Sequence, residues 1–328
     1  MVKISIIGSG GISRHHVESL KRIGDAQVIS TCDVDNQRAA ELAASCGAVA
    51  CTDWRAGIKE ADLVYILTPP SFHKDIAIEA MEEGKHVMIE KPIAIAEEDA
   101  EQIVEASHRL GRKAMVGFNM RHRTAYGKLK AVLDSGRLGD VLNYWSQRMG
   151  MGSQGGTWRT NRQQMSGFTI ESLSHDIDIF RWLSGSEVEC VYGNVANSRL
   201  DLPGYDDNTL AVLKLRNGQA AFIQASWSSY LEFNSRGIAG RDGTVMISGP
   251  GTWNFDRLTY RTKNMEEEYT ETFADPLDGQ SYYVENLHFV DCVLHDRKPQ
   301  MTAEDGLAVL RVSRAILQSH RDNRMVTL

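Results

Sequence analysis

The chain has 328 residues, 42% of them hydrophobic, with 36 Lys and Arg against 43 Asp and Glu for a net charge of -7. At roughly 150 residues per domain that length predicts two domains, and about three quarters of the unfolded surface of such a chain is buried on folding, so neither disulfides nor a metal is needed as a staple. Near-average charge excludes intrinsic disorder, and the lack of a basic half excludes nucleic acid binding by phosphate neutralisation.

From residue 2 to about 120, short β-branched runs alternate with helix-like stretches. Strands are predicted at 2–7, 28–31, 63–67, 86–89 and 114–116, with helices near 12–23, 36–46, 72–82 and 97–110, several closed by Gly. This alternation predicts an α/β fold with a doubly wound parallel sheet. The first strand runs into Gly8, Ser9, Gly10, Gly11, Ile12 and Ser13 and then a helix, the context in which a glycine fingerprint binds a pyrophosphate at a helix N-terminus. Gly8 permits the tight turn and Gly10 the approach of backbone to phosphate, while Ser13 stands where a third glycine is usual. The second strand ends at Cys32 and Asp33, which places a carboxylate where the ribose hydroxyl of NAD needs an acceptor. Two unit charges about 4 Å apart repel by about 4 kcal/mol at an effective dielectric near 20, so Asp33 disfavours a 2′-phosphate and predicts NAD over NADP. Thr68, Pro69 and His73 follow the 63–67 strand, and Glu90, Lys91 and Pro92 follow the 86–89 strand, all at the carboxyl edge where ligands of such sheets bind.

Past residue 123 a helix near 125–133 is followed by longer alternating segments at 141–148, 188–194, 209–215, 220–227 and 244–248, separated by RNGQ, GRDG and SGPG turns. That pattern predicts an α+β domain on a largely antiparallel open sheet, with one inserted helix at 170–184 and two closing helices near 281–295 and 303–320. On a continuous helix Glu171, His175 and Asp178 share one face, so a carboxylate can fix the imidazole tautomer as a general base requires. A structural Glu–His pair and a shared zinc are the alternatives, the latter lacking a third ligand at suitable spacing.

GSGGISRHH, CDVD, TPPSFH, GKHVMIEKP, VGFNMR, SGFTIESLSHDIDIFRWLSG and ENLHFVDCVLHDRKP together resemble the glucose-fructose oxidoreductase, inositol dehydrogenase and rhizopine catabolism (Gfo/Idh/MocA) family over nearly the whole chain. The resemblance implies an NAD(P)-dependent dehydrogenase that moves a hydride between nicotinamide and a CH-OH carbon of a sugar or cyclitol. It also implies a dinucleotide-binding domain at 1–121 and a substrate-binding and oligomerisation domain at 122–328, and it allows a cis Lys91–Pro92 bond. Lys91 matches the lysine that contacts the reacting hydroxyl, and His175 matches the acid/base. Glu171 stands where many members have Asp. Asn119 and Arg121 match crevice-lining positions, and the glycine-rich loop at 148–167, with Arg148, Trp158, Arg159 and Arg162, resembles the substrate loop. His122, Arg123 and Thr124 depart from the family pattern, and nothing in the sequence explains the change.

Two rivals remain on the same fold, an NAD-using glycoside hydrolase and a nonenzymatic NAD-responsive regulator; retention of Lys91 and His175 disfavours the regulator. No metal is predicted. Open antiparallel strands suggest a homo-oligomer, dimer or tetramer. No apolar run reaches the roughly 18–20 residues of a membrane span and MVKISIIGSGG has no signal-peptide pattern, so a cytoplasmic protein without a membrane partner is expected. The five cysteines (Cys32, Cys46, Cys51, Cys190, Cys292) form no CxxC pair and are read as reduced thiols. His15, His16 and His86 are read as surface or packing residues.

Overall fold

The computed structural model describes residues 1–152, 161, 167–199, 204–275 and 280–328. The chain divides into two units, Met1–Asn119 with Asp278–Leu310, and Met120–Leu277 with Arg311–Leu328. A boundary drawn along the sequence does not express the first, because the chain returns to it after leaving the second.

Among the described residues of unit 1, strands and helices alternate as β1 (Val2–Ile7), α1 (Gly11–Leu20), β2 (Ala26–Cys32), α2 (Asn36–Cys46), β3 (Val49–Cys51), α3 (Trp54–Gly57), β4 (Leu63–Ile66), α4 (His73–Glu82), β5 (His86–Ile89), α5 (Glu97–Leu110) and β6 (Ala114–Val116). The sheet order is β3-β2-β1-β4-β5-β6, every pairing parallel. Both faces are covered, which is why β4 and nearly all of β1 are buried runs rather than alternating ones. The order reverses between β1 and β4, and ligands of doubly wound sheets bind at the carboxyl ends beside that switch point. Local signals agree with the elements. Asp35 accepts hydrogen bonds from Gln37 N and Arg38 N and so caps α2, and α5 carries Glu97, Glu98 and Asp99 in its first turn and His108 and Arg109 in its last, complementing its dipole.

Unit 2 contains α6 (Thr124–Asp134), β7 (Val141–Met151), α7 (Phe168–Glu171), α8 (Ser174–Ser184), β8 (Val188–Ala196), β9 (Asn208–Leu215), β10 (Ala220–Ser226), β11 (Ser228–Gly240), β12 (Gly243–Pro250), β13 (Phe255–Thr262) and β14 (Tyr269–Asp275). The chain then passes through α9 (Gln280–Leu294) of unit 1 and α10 (Ala303–Asp322), which runs from unit 1 into unit 2, to β15 (Val326–Thr327). The sheet order is β14-β13-β12-β11-β7-β10-β9-β8-β15, antiparallel except for β7 beside β10. β9 shows how the sheet has one core face: Thr209, Ala211, Leu213 and Leu215 are buried, while Leu210 and Val212 between them are exposed.

Two expectations need correction. The helix read at 170–184 is interrupted: α7 ends at Glu171, Ser172 and Leu173 form a turn, and α8 starts at Ser174. Cys32 and Cys51, read as separate thiols, are paired side by side with Cα atoms 4.8 Å apart, because the parallel register of β2 and β3 sets them opposite one another. Cys46, Cys190 and Cys292 are free. No described helix is long and apolar enough to cross a membrane.

Candidate active site

In unit 1 the glycine turn joins β1 to α1 at the switch point. Gly8 has φ +96°, and a Cβ there would lie 2.6 Å from Leu67 O, so β4 closes on the turn too tightly for any side chain. Gly10 caps α1 with no side-chain hydrogen bond, which leaves the first N-H groups of the helix to other partners. A Cβ at Gly10 or Gly11 would meet nothing within 4 Å. The buried hydroxyls of Ser9 and Thr68 have no hydrogen-bond partner among the described residues. An open helix start flanked by two unsatisfied hydroxyls fits the anionic pyrophosphate of a dinucleotide. Ile12 and Ser13 form the first helical turn, and Ser13 Oγ donates to Gly10 O, holding the loop.

Asp33 sits at the end of β2. Its Oδ2 accepts from Ser9 N at 2.8 Å and its Oδ1 from Asp35 N at 2.9 Å, while Arg38 lies 3.6 Å away and also pairs with Asp35. The carboxylate thus pins the glycine turn to the adjacent strand end. Thr68 and Pro69 are braced to the turn after β5 by His73. Its Nε2 lies 2.8 Å from Thr68 O and its Nδ1 3.1 Å from Pro92 O, and burial pushes its pKa down although those carbonyls oppose the shift. Glu90 N donates to Ile66 O, Glu90 Oε2 accepts from Lys91 N at 3.0 Å, and Lys91–Pro92 is cis. Asn119 is buried and its Nδ2 donates to Ser281 Oγ at 3.3 Å.

In unit 2, Glu171 and His175 are both buried, on successive short helices rather than one face of one helix. Ser174 Oγ donates to Glu171 O, spanning the break between them. Asp178 receives both arms of Arg121, with Arg121 Nε 2.8 Å from Asp178 Oδ2, so that arginine is committed to α8. Beneath His175 lies a buried ionic layer. Arg148, expected on the substrate loop, is instead a residue of β7 and wholly buried; it donates to Ser172 Oγ at 2.9 Å and to Asp176 Oδ2 at 2.9 Å, and its guanidinium lies 4.1 Å from the centre of the Trp253 ring. Arg236 is 3.6 Å from Asp176 Oδ1, which also accepts from Ser146 Oγ at 2.6 Å. Burial would raise the Asp176 pKa, but the two guanidiniums override it and hold the carboxyl below its usual range. Trp253 meets His175 edge-on, ring centres 5.7 Å apart.

Trp253 and Arg236 carry no motif in the sequence, since a turn between two strands far along the chain supplies the indole, and Asp176 lies inside SGFTIESLSHDIDIFRWLSG without a spacing that singles it out. The geometry also explains one departure from the family pattern. Arg123 is buried and donates to Trp253 O and Asp275 O, each at 2.6 Å, so it anchors the turn that carries the indole. Of the histidines expected on the surface or in packing, His16 is a packing residue, wholly buried, and also hydrogen-bonded to Glu90 and Asn286. His15 is exposed and stacks on Tyr282, and His86 Nδ1 accepts from Lys113 N. Trp158, Arg159 and Arg162 lie outside the described residues. No group of three His, Cys, Asp or Glu among the described residues is placed to hold a metal.

Comparison with known proteins agrees with this arrangement. The family model described as an oxidoreductase family with an NAD-binding Rossmann fold matches residues 2–118, and that of the same family's C-terminal α/β domain matches residues 130–328. An inositol 2-dehydrogenase of Saccharopolyspora erythraea is 30% identical over 97% of this chain and 93% of its own length. The scyllo-inositol 2-dehydrogenase (NAD(+)) of Bacillus subtilis is 26% identical over 100% of this chain and 96% of its own. In structure, an aldose-aldose oxidoreductase from Caulobacter crescentus superposes with a TM-score of 0.89 at 22% identity, covering 100% of this chain and 99% of that one. With both family domains matched in order across almost the entire chain, the protein belongs to the Gfo/Idh/MocA oxidoreductases.

Proposed function

We propose that the protein is an NAD-dependent dehydrogenase that interconverts a secondary alcohol and a ketone on a sugar or cyclitol, as the names of its inositol dehydrogenase relatives suggest. The observation that carries the reading is the dinucleotide cradle: an uncapped α1, open space at Gly10 and Gly11, and partnerless buried hydroxyls on Ser9 and Thr68. NAD, when bound, supplies the hydride acceptor at nicotinamide C4. Gly8, Gly10, Gly11, Ile12, Ser13, Thr68 and Pro69 shape its pyrophosphate site, with His73 and Glu90 holding the loops that form the edge. His175 takes the hydroxyl proton as general base, Glu171 orients the imidazole, and the Lys91 ammonium stabilises the developing alkoxide. Trp253 offers an apolar edge beside His175 for a ring C-H face, Asn119, Trp158 and Arg159 complete the substrate-binding set, and Arg121, held on Asp178 of α8, lines it. Residues 1–121, with the returning segment Asp278–Leu310, take the dinucleotide, and the rest of 122–328 takes the substrate and a second copy of the chain.

Asp33 favours NAD over NADP. Its carboxylate is fixed by Ser9 N and Asp35 N where a 2′-phosphate would be repelled, and the one nearby cation, Arg38, is already shared between Asp33 and Asp35. Self-association follows from the exposed apolar residues of the nine-stranded sheet, among them Leu142, Leu210, Val212, Tyr230, Leu231 and Phe233. A cytoplasmic enzyme, drawing on the cellular NAD pool, suits this reading.

The test is NADH absorbance with product analysis over myo-inositol, scyllo-inositol, aldoses, sugar acids and aryl glycosides, each with NAD and with NADP. Stoichiometric NADH and ketone from a polyol, with kcat/KM higher for NAD, are expected. Aglycone release without NADH would replace the reading with a hydrolase, and equal kcat/KM for both cofactors would remove the NAD preference.

A further inference from the structure

His16 lies on α1, the helix that opens the cofactor cradle, and has no solvent exposure. Its Nδ1 is 2.9 Å from Asn286 Oδ1 on α9, and its Nε2 is 3.1 Å from Glu90 Oε1. The amide of Asn286 is oriented by its own second bond, Nδ2 donating to His16 O at 3.4 Å, so Oδ1 is the atom that faces the imidazole and Nδ1 must carry a hydrogen. The Nε2 contact with Glu90 then needs one shared proton, as an imidazolium with a carboxylate or an imidazole with a carboxylic acid. Either form fixes the same geometry. The other oxygen, Oε2, accepts the Lys91 N-H at 3.0 Å, so the carboxyl group is held from both ends. Gly117 makes room for it: a Cβ there would stand 3.2 Å from Glu90 Cδ and Oε1. Tyr65 and Tyr282 meet the imidazole edge-on, with ring centres 5.4 and 5.3 Å away, and close it off.

We propose that His16 is a positioning residue for the reaction: anchored by Asn286, it holds the Glu90 carboxyl, which in turn holds the backbone of Lys91. The inference rests on the role given to Lys91 above. It ties the helix that receives the dinucleotide to the turn that carries the ammonium, so that Lys91 is placed from the cofactor side. His16 itself touches neither reactant, being wholly enclosed by α9, the end of β5 and the two tyrosines. Without it Glu90 loses its buried hydrogen-bond partner, and the Lys91 amide loses a fixed acceptor. A misplacement of about 1 Å in a reacting group costs on the order of a hundredfold in rate.

The experiment is a double-mutant cycle on the full-length protein with NAD and the panel alcohol of highest turnover. His16→Leu is expected to lower kcat about 10- to 100-fold, with the NAD dissociation constant changed less than about threefold. His16→Gln, whose amide can still donate to Glu90, should recover part of the loss. In a Lys91→Ala background the same His16→Leu change should cost less than about threefold, since residues acting through one another are not additive. Unfolding midpoints are measured for every variant, and if His16→Leu does not fold, His16→Gln and Glu90→Gln form the cycle in its place. An unchanged kcat in His16→Leu, or losses that multiply in full with Lys91→Ala, would overturn the inference while leaving Lys91 in its role. Unchanged turnover in Lys91→Ala alone would instead remove the role of Lys91, and this inference with it.

Discussion

The glycine turn offers a pair of substitutions whose outcomes separate fold from cofactor. Gly8→Ala places a methyl 2.6 Å from Leu67 O, 2.7 Å from Leu67 C and 2.9 Å from Thr68 N, all backbone atoms of the neighbouring strand end, at φ +96°. Positive φ costs an L-residue about 1–2 kcal/mol, and forcing an extra methyl into a closed site about 1–3 kcal/mol, so a loss of about 2–5 kcal/mol is expected. For a unit of this size that is a fall of about 5–15 °C in the unfolding midpoint. Gly10→Ala differs in kind, because its Cβ would meet nothing within 4 Å and its φ of -79° suits any residue. The fold should be unaffected, with the midpoint within about 2 °C of wild type. The methyl would stand in the cradle, however, and the loss of a charge-assisted phosphate contact worth about 1.5–3 kcal/mol would weaken NAD about 10- to 100-fold. Thermal melts with and without NAD, together with a fluorescence titration, read both quantities. A Gly8→Ala protein as stable as wild type, or a Gly10→Ala protein that binds NAD normally, would refute the reasoning.

Other outcomes follow from the same geometry. Burial pushes the His86 pKa from 6.5 down to about 4, so the folded state binds fewer protons than the unfolded state between those values. Its contribution is therefore complete above about pH 6.5 and lost as pH falls toward about 4; solvent screening of a half-buried group reduces it to about 1–2 kcal/mol. Urea unfolding at about pH 7 and pH 4 should show that extra loss in wild type and not in His86→Gln, and identical pH dependence would count against it. Arg148→Met removes the main counter-charge of Asp176 while Arg236 stays 3.6 Å away, and breaking such a buried pair costs about 3–5 kcal/mol. Denaturant midpoints check this, and a loss below about 1 kcal/mol would mean that Arg236 alone suffices.

How much of this was legible beforehand follows from what a local pattern encodes. The buried runs of β1 and β4, the glycine turn and the Asp33 position are readable because parallel strands and phosphate loops impose local composition. A 3.6-residue periodicity continues through Ser172 and Leu173, since both keep right-handed helical φ and ψ, and so the break between Glu171 and His175 leaves no mark in the sequence. β3 is only three residues long, too short for alternation to register, and its pairing with β2 is what sets Cys51 beside Cys32. Partners drawn from distant turns were equally hidden. Trp253 beside His175, Arg123 on the Trp253 carbonyl, and Asn286 on His16 depend on tertiary register that no spacing expresses. Arg123 acts through hydrogen bonds to Trp253 O and Asp275 O and an ion pair with Asp275, all contacts across the unit that no local pattern encodes.

The central claim is direct hydride transfer assisted by His175, and the decisive measurement is the fate of a deuteron. The panel alcohol of highest turnover, deuterated at the carbon that is oxidised, is incubated with NAD and the wild-type or His175→Ala protein, and the nicotinamide C4 position is read by NMR. The account predicts that wild type places the deuteron on C4, and that His175→Ala does so about 10²–10⁴ times more slowly while its NAD affinity is retained. NADH lacking the deuteron, or an undiminished rate in His175→Ala, would contradict it.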